Sequence, residues 1–136
     1  MSENIHKKSW GYEHWFANND FYCGKYICID KDCISSNGAF HYHESKDETF
    51  FVLEGTLILD YYIDNHMYTI HLNPNQSFRI KPNVKHRFST KSDMCGFIEV
   101  STHHSDKDSY RVIFEDNQWK YDRSRVDPEK NIEKSS

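Results

Sequence analysis

Short stretches in which apolar and polar residues alternate recur along the chain: Phe21 to Ile29, Thr49 to Leu53, Thr56 to Tyr62, Met67 to Leu72, Phe78 to Ile80, Phe97 to Ser101 and Tyr110 to Phe114. A period of two sends successive side chains to opposite faces of a sheet, so each stretch predicts a strand with one face to bury. Between them stand breaks rich in turn formers, such as Ser35-Ser36-Asn37-Gly38, Asp64-Asn65, Asn73-Pro74-Asn75 and Pro82-Asn83. Residues that tolerate tight turns at such short spacing predict hairpins, and hairpins in series predict an all-β sandwich or barrel. No segment holds a capped apolar repeat of 3.6 residues, so helix content is expected to be low; Trp10 to Asn19 fits one helical turn or a leading strand.

With 136 residues the chain suffices for one domain with a core of its own. The domain is expected over 1–118, led by an aromatic segment containing Trp10, Tyr12, Trp15 and Phe16, and followed by a polar tail over 119–136 with room for a short helix in Pro128 to Lys134. Those leading rings are too apolar for water and are expected to pack on the barrel or on a second subunit, which makes a homodimer the expected assembly. Lys and Arg number 17 against 21 Asp and Glu, leaving no positive surplus to grip a nucleic acid or an anionic membrane. The polar start from Met1 to Lys8 lacks an apolar h-region and the longest apolar runs are strand-sized, so the expectation is a cytoplasmic protein. Four cysteines without a CxxC pair predict free thiols.

The richest chemistry lies in His41-Tyr42-His43-Glu44-Ser45-Lys46-Asp47-Glu48. Two histidines two apart on a strand share a face, about 6.6 Å apart along the backbone, close enough to converge on one ion. Glu48 heads the next strand as a third candidate ligand. His86, just past Pro82, is a fourth on a return strand that can lie beside the pair. Three imidazoles and a carboxylate suit one divalent transition metal: Zn, Mn, Fe, Co or Ni.

The spacing His41-x-His43-x4-Glu48-x6-Gly55, followed by Pro82-x3-His86, resembles the two signature motifs of the cupin superfamily, and the resemblance extends through most of the chain, from about Trp10 to Arg111. The resemblance implies a small jelly-roll barrel whose pocket holds a metal on His41, His43, Glu48 and His86. The chain departs from the pattern where Ser35, Asn75 and Asn83 replace glycines and Thr90 replaces an asparagine. Asn tolerates the left-handed conformation, so both Asn turns remain feasible. Trp10-Gly11-Tyr12-Glu13, Tyr22-Cys23-Gly24-Lys25 and Glu99-Val100-Ser101-Thr102 with His104 further resemble small sugar-isomerase-related cupins of the D-lyxose isomerase-like kind.

Lys25 and Glu99 are charged residues inside apolar alternations, so each either turns outward or faces a polar pocket. Facing inward they form an acid/base pair for moving a proton on a sugar beside the metal, as an aldose-ketose isomerase or an epimerase requires. Arg79 and His104 are the expected substrate-binding residues, Arg79 together with Lys81, Lys85 and Arg87 as candidates for a phosphate or carboxylate. The expected substrate is a sugar or sugar phosphate. A non-haem iron oxygenase and a non-catalytic sugar-binding module are the competing readings, favoured if Lys25 and Glu99 point outward.

Overall fold

The structure is a computed structural model and describes residues 4–121. Twelve strands follow one another: β1 (Ile5–Lys8), β2 (Gly11–Asn18), β3 (Cys23–Asp30), β4 (Phe40–Tyr42), β5 (Glu48–Glu54), β6 (Leu57–Ile63), β7 (His66–Leu72), β8 (Ser77–Ile80), β9 (His86–Ser89), β10 (Met94–Ser101), β11 (Tyr110–Glu115) and β12 (Gln118–Tyr121). Two 3-10 turns, Ser35–Gly38 and Asp106–Asp108, are the helical elements among the described residues. The strands form two six-stranded antiparallel sheets, ordered β1-β2-β3-β10-β5-β8 and β12-β11-β4-β9-β6-β7. This is the all-β double sheet the alternation predicts, in the jelly-roll arrangement the family resemblance implies. The hydrogen bonding does not close, however: β1 and β8 remain edges of one sheet and β12 and β7 of the other, so the barrel is an open double sheet.

Alternation decides which residues meet between the sheets. On β5, Glu48, Phe50 and Val52 are buried while Phe51 and Leu53 are exposed. On β3 and β10 the cross-strand pairs Ile29/Cys95 and Ile27/Phe97 fill the interior, and the next inward pair along the same strands is Lys25/Glu99. The inner surface of the first sheet thus changes from apolar to charged along its strands. The apolar end, where Phe50, Phe88 and Phe97 meet edge to face at 5.2 to 6.1 Å, is the core, and the charged end is the wall of a cavity.

The leading segment is β2, so its rings split between the two faces of a strand. Trp10, just before it, is buried against Phe88, and Trp15 turns toward the cavity, whereas Tyr12 and Phe16 lie on the outer face. Phe16 lies over Gly24, where a Cβ would come within 2.5 Å of its ring. Asn75 and Asn83 both take positive φ, 73° and 70°, in keeping with the tolerance of Asn for that region. Gly55, at φ 76°, has a further constraint, since a Cβ there would lie 2.2 Å from the Met94 carbonyl. The four cysteines are free. At the C-terminal end, β12 pairs with β11 as far as Tyr121, so the sheet extends past 118, where composition alone placed the start of the tail. The helix considered in Pro128 to Lys134 lies outside the described residues. No helix among those described is long and apolar enough to cross a membrane.

Candidate metal centre and its cavity

Strands β4 and β9 set His41 directly opposite His86, and His43 follows at the exit of β4. A ligand nitrogen from each of the three rings can be chosen so that all lie within 4.8 Å of one another, close enough to bind one ion. Two of these rings have fixed tautomers. His86 Nδ1 lies 2.9 Å from the Val84 carbonyl and His43 Nδ1 lies 2.9 Å from the Asp108 carbonyl. A carbonyl only accepts, so each Nδ1 carries a proton and Nε2 is the ring nitrogen left to face an ion. Burial, then the Lys46 ammonium and the His86 ring, push the His43 pKa well below the usual histidine value, which keeps that ring neutral.

Both Nε2 atoms face Glu48. Its Oε2 is 3.1 Å from His86 Nε2 and 3.5 Å from His43 Nε2, with Glu48 and His86 both buried. Glu48 Oε2 and His86 Nε2 make no hydrogen bond despite their separation. Buried lone pairs pointed at one another are costly unless a cation lies between them. Nitrogen and carboxylate donors in this arrangement fit a divalent transition metal, so the side chains suit the ion their spacing suggested.

A cavity of about 510 Å³ opens beside this cluster, walled by Trp15, Lys25, Glu99, His104, Tyr110 and Arg111 among others. Lys25 and Glu99 face each other across β3 and β10, each only 3% exposed. His104 also lines the cavity, with Nε2 3.1 Å from Asp106 Oδ1. Burial and the charge of Lys25 lower its pKa to about 4, against the opposing hydrogen bond to Asp106. Arg79 is not brought to the cavity. It lies on β8, exposed, and forms a forked ion pair with Asp47, with Nε 2.9 Å from Oδ1. Position 79 pairs with Thr49, which belongs to the outward set of β5, so its side chain leaves on the opposite side of the sheet from Glu48 and Phe50.

Lys46 is the functional candidate that sequence reasoning missed, because it stands in what reads as a polar linker. It is 3% exposed, with Nζ 2.9 Å from Glu99 Oε2, 3.5 Å from Glu48 Oε1 and 2.9 Å from His104 Nδ1. Burial alone would lower its pKa, but Glu48 and Glu99 outweigh that and hold it protonated. Burial would likewise raise the pKa of Glu99, and Lys46 followed by Lys25 reverses this and keeps the carboxylate ionised. The linker is shaped by Asp108, whose carboxylate accepts hydrogen bonds from the backbone N–H groups of Glu44, Ser45 and Lys46 while its carbonyl accepts one from His43 Nδ1. Glu13 is a further unforeseen wall residue. It accepts from Trp15 Nε1 at 2.8 Å and lies 3.6 Å from Lys25 Nζ.

No curated protein matches the chain in sequence. Among solved structures, KdgF from Halomonas sp. is similar at 16% identity and a TM-score of 0.59, covering 71% of this chain and 81% of that one. Oxalate decarboxylase from Bacillus subtilis is similar at 9% identity and a TM-score of 0.72, covering 81% of this chain and 30% of that one. CapF, solved with the inhibitor 3-isopropenyl-tropolone, is similar at 14% identity and a TM-score of 0.70, covering 81% and 34%. The chain thus spans about a third of the length of the last two, and at these identities the likeness is one of fold. Another structure of the B. subtilis oxalate decarboxylase is described by its Mn(II) centres. Residues 34–100 match the family model described as Cupin domain, so this stretch, which carries His41, His43, Glu48 and His86, is a cupin domain.

Proposed function

We propose that the protein is a metal-dependent isomerase or epimerase of a sugar, working by proton transfer within the cavity. The observation that carries this reading is the inward placement of Lys25 and Glu99 beside the histidine cluster, since outward-facing side chains would have left the cavity without an acid/base pair. His41, His43, Glu48 and His86 would hold the ion. When bound, it would supply Lewis-acid polarisation of substrate oxygens. Glu99 accepts the carbon-bound proton of the substrate. For this its carboxylate must be released from Lys46, and a substrate oxygen entering between them provides Lys46 with the replacement acceptor. The Lys25 and Lys46 ammonium groups then stabilise the negative charge that develops on oxygen. Trp15 closes one side of the cavity and limits water there. Sugar isomerisation is redox-neutral, and two lysines with a carboxylate suit it better than oxygen chemistry.

The Lys46–Glu99 ion pair favours a second reading, a sugar-binding module in which Glu99 is structural. Glu99→Gln separates the two. It nearly conserves volume while removing the base, so turnover on a panel of aldoses and ketoses should fall by about 10²- to 10⁴-fold with metal content unchanged. Wild-type turnover in this variant would refute the mechanism. Failure of the metal-loaded wild type to interconvert any sugar of the panel would favour the binding module.

A further inference from the structure

Two strands of the first sheet are apolar on the face turned away from the cavity as well as within. On β5 the run Phe50-Phe51-Val52-Leu53 has no polar residue to show to water, and on β10 Ile98 and Val100 alternate with the inward Phe97 and Glu99. An antiparallel sheet with one wet face alternates apolar with polar, whereas a strand apolar on both sides reads as covered on both. Pairing carries the pattern across the sheet, since His14, Tyr26, Ile98 and Phe51 stand side by side on β2, β3, β10 and β5. Phe16 lies over Gly24 and Tyr26 over Gly96, where a Cβ would come within 2.5 and 2.4 Å of their atoms. Each glycine gives a ring room to lie flat, so the face is broad and even. Tyr12 continues it beside Tyr26, with ring centroids 6.1 Å apart. Yet Phe16 is 54% and Val100 53% exposed, and among the described residues no strand lies over this face.

The other sheet shields its outer rings with cations, Lys85 over Trp119 and Arg87 over Phe40. On the first sheet charge is confined to the margin: Lys7 on edge strand β1, Glu54 at the end of β5, and Arg79 on edge strand β8, ion-paired with Asp47. The exposed fractions leave on the order of 500–700 Å² of apolar side chain in water on this face, taking about 150–250 Å² for a whole aromatic side chain. A homodimer contact of standard size buries about 800 Å² per subunit, about two-thirds of it apolar. The face thus carries the apolar area of one such contact, with a polar rim around it. Residues 122–136 bring only Val126 and Ile132 as large apolar side chains, too little to cover it.

We infer that this face is the contact between two copies of the chain, packed sheet on sheet. Two sheets of the same twist stack with their strands about 30° apart, so a broad, even face is complementary to its own copy. The rim holds both signs of charge, which spares the pair a net repulsion. Both subunits use the same patch, so association closes at two.

Sedimentation velocity of the wild type at micromolar concentration should give twice the chain mass of 16.3 kDa. Phe51→Lys and Val100→Lys each put an unpaired charge into the middle of the contact from an exposed position, and each should weaken association at least about thirtyfold. Met67→Lys, also exposed but on β7 of the other sheet, should leave it unchanged. A monomeric wild type overturns the inference, and so does a dimer that survives both Phe51→Lys and Val100→Lys or is broken by Met67→Lys. Hydroxyl-radical footprinting reads the same face in the wild type, independently of whether any variant folds. Oxidation of Phe16 and Phe51 should fall between dilute and concentrated protein while that of Tyr68, exposed on the other sheet, stays constant. Protection of Tyr68 with Phe16 and Phe51 unprotected overturns the assignment.

Discussion

Replacing Lys46 by Met keeps the length and much of the volume of the side chain and removes its charge, which leaves two buried carboxylates, Glu48 and Glu99, without the cation they share. Neither is more than 5% exposed, and the distances to Lys46 Nζ are 3.5 and 2.9 Å. Removing one partner of a buried pair costs roughly 3–5 kcal/mol. For a chain of this size that corresponds to a melting temperature lower by about 10–20 °C. Denaturant unfolding of chelator-treated protein measures it without a contribution from metal binding. The dependence on pH should also change sign. In the wild type Glu99 is held below the ordinary carboxylate range, so its contribution is present above the unfolded pKa and is lost as pH falls through the window below it. In Lys46→Met burial dominates, the Glu99 pKa rises above its unfolded value, and stability should recover as pH falls from neutrality toward about 4.5. The double variant Lys46→Met/Glu99→Gln should regain about 2 kcal/mol of the loss, because the orphaned charge is gone. A single-variant loss under about 1 kcal/mol, or no recovery in the double variant, would show that this ion pair is not what fills the site.

Other measurements address the remaining readings. His43→Ala should lose most bound metal by elemental analysis, together with the thermal stabilisation that metal gives the wild type; full occupancy would remove His43 from the ligand set. Native-state stability should fall as pH drops from about 6.5 to about 4, by on the order of 2 kcal/mol, because unfolding frees His104 to take up a proton that the folded state refuses until about pH 4. Glu13, lowered to about 2 against the upward pull of burial by Lys25 and Lys8, continues the same trend below about 4.5; a flat profile between pH 6.5 and 4 would contradict the buried, neutral His104. Arg79→Ala should leave the denaturant midpoint unchanged, since an exposed ion pair contributes little to stability, and a clear shift would contradict its outward placement. Light scattering should give twice the chain mass of 16.3 kDa if the outer face bearing Tyr12 and Phe16 is covered by a second copy, and a monomer at micromolar concentration would exclude this.

Much of the fold was legible because alternation is a local signal: each residue of β5 announces its own face, and Asn at 75 and 83 announces its own turn. The His41/His43 spacing was legible for the same reason, and it pointed to Glu48 and His86 through motif distances that the sheets turn into contacts. Strands β1 and β12 are short, with few residues to alternate, and carried little pattern. Lys46 was opaque because its burial comes from a segment about sixty residues away: Asp108 bends the 44–46 backbone so that a linker lysine turns inward. Arg79 shows the opposite failure. Its charge and closeness to the second motif suggested a substrate contact, yet the phase of β8 sends it outward, and phase is decided by pairing with Thr49.

The double grip of Asp108 also bears on when the site comes into being during folding. Its carboxylate and carbonyl tie residues 43–46 to the start of β11, a loop closure spanning more than sixty residues. Contacts of such long sequence separation form late, after local hairpins such as β6–β7 are in place. Until β11 docks beside β4, the His43 ring lacks the carbonyl that fixes its tautomer and Lys46 lacks the backbone bend that turns it inward. Metal affinity in a stopped-flow refolding experiment should therefore appear with the last phase, and the ion would act as a reporter of completed assembly rather than as a nucleus for it.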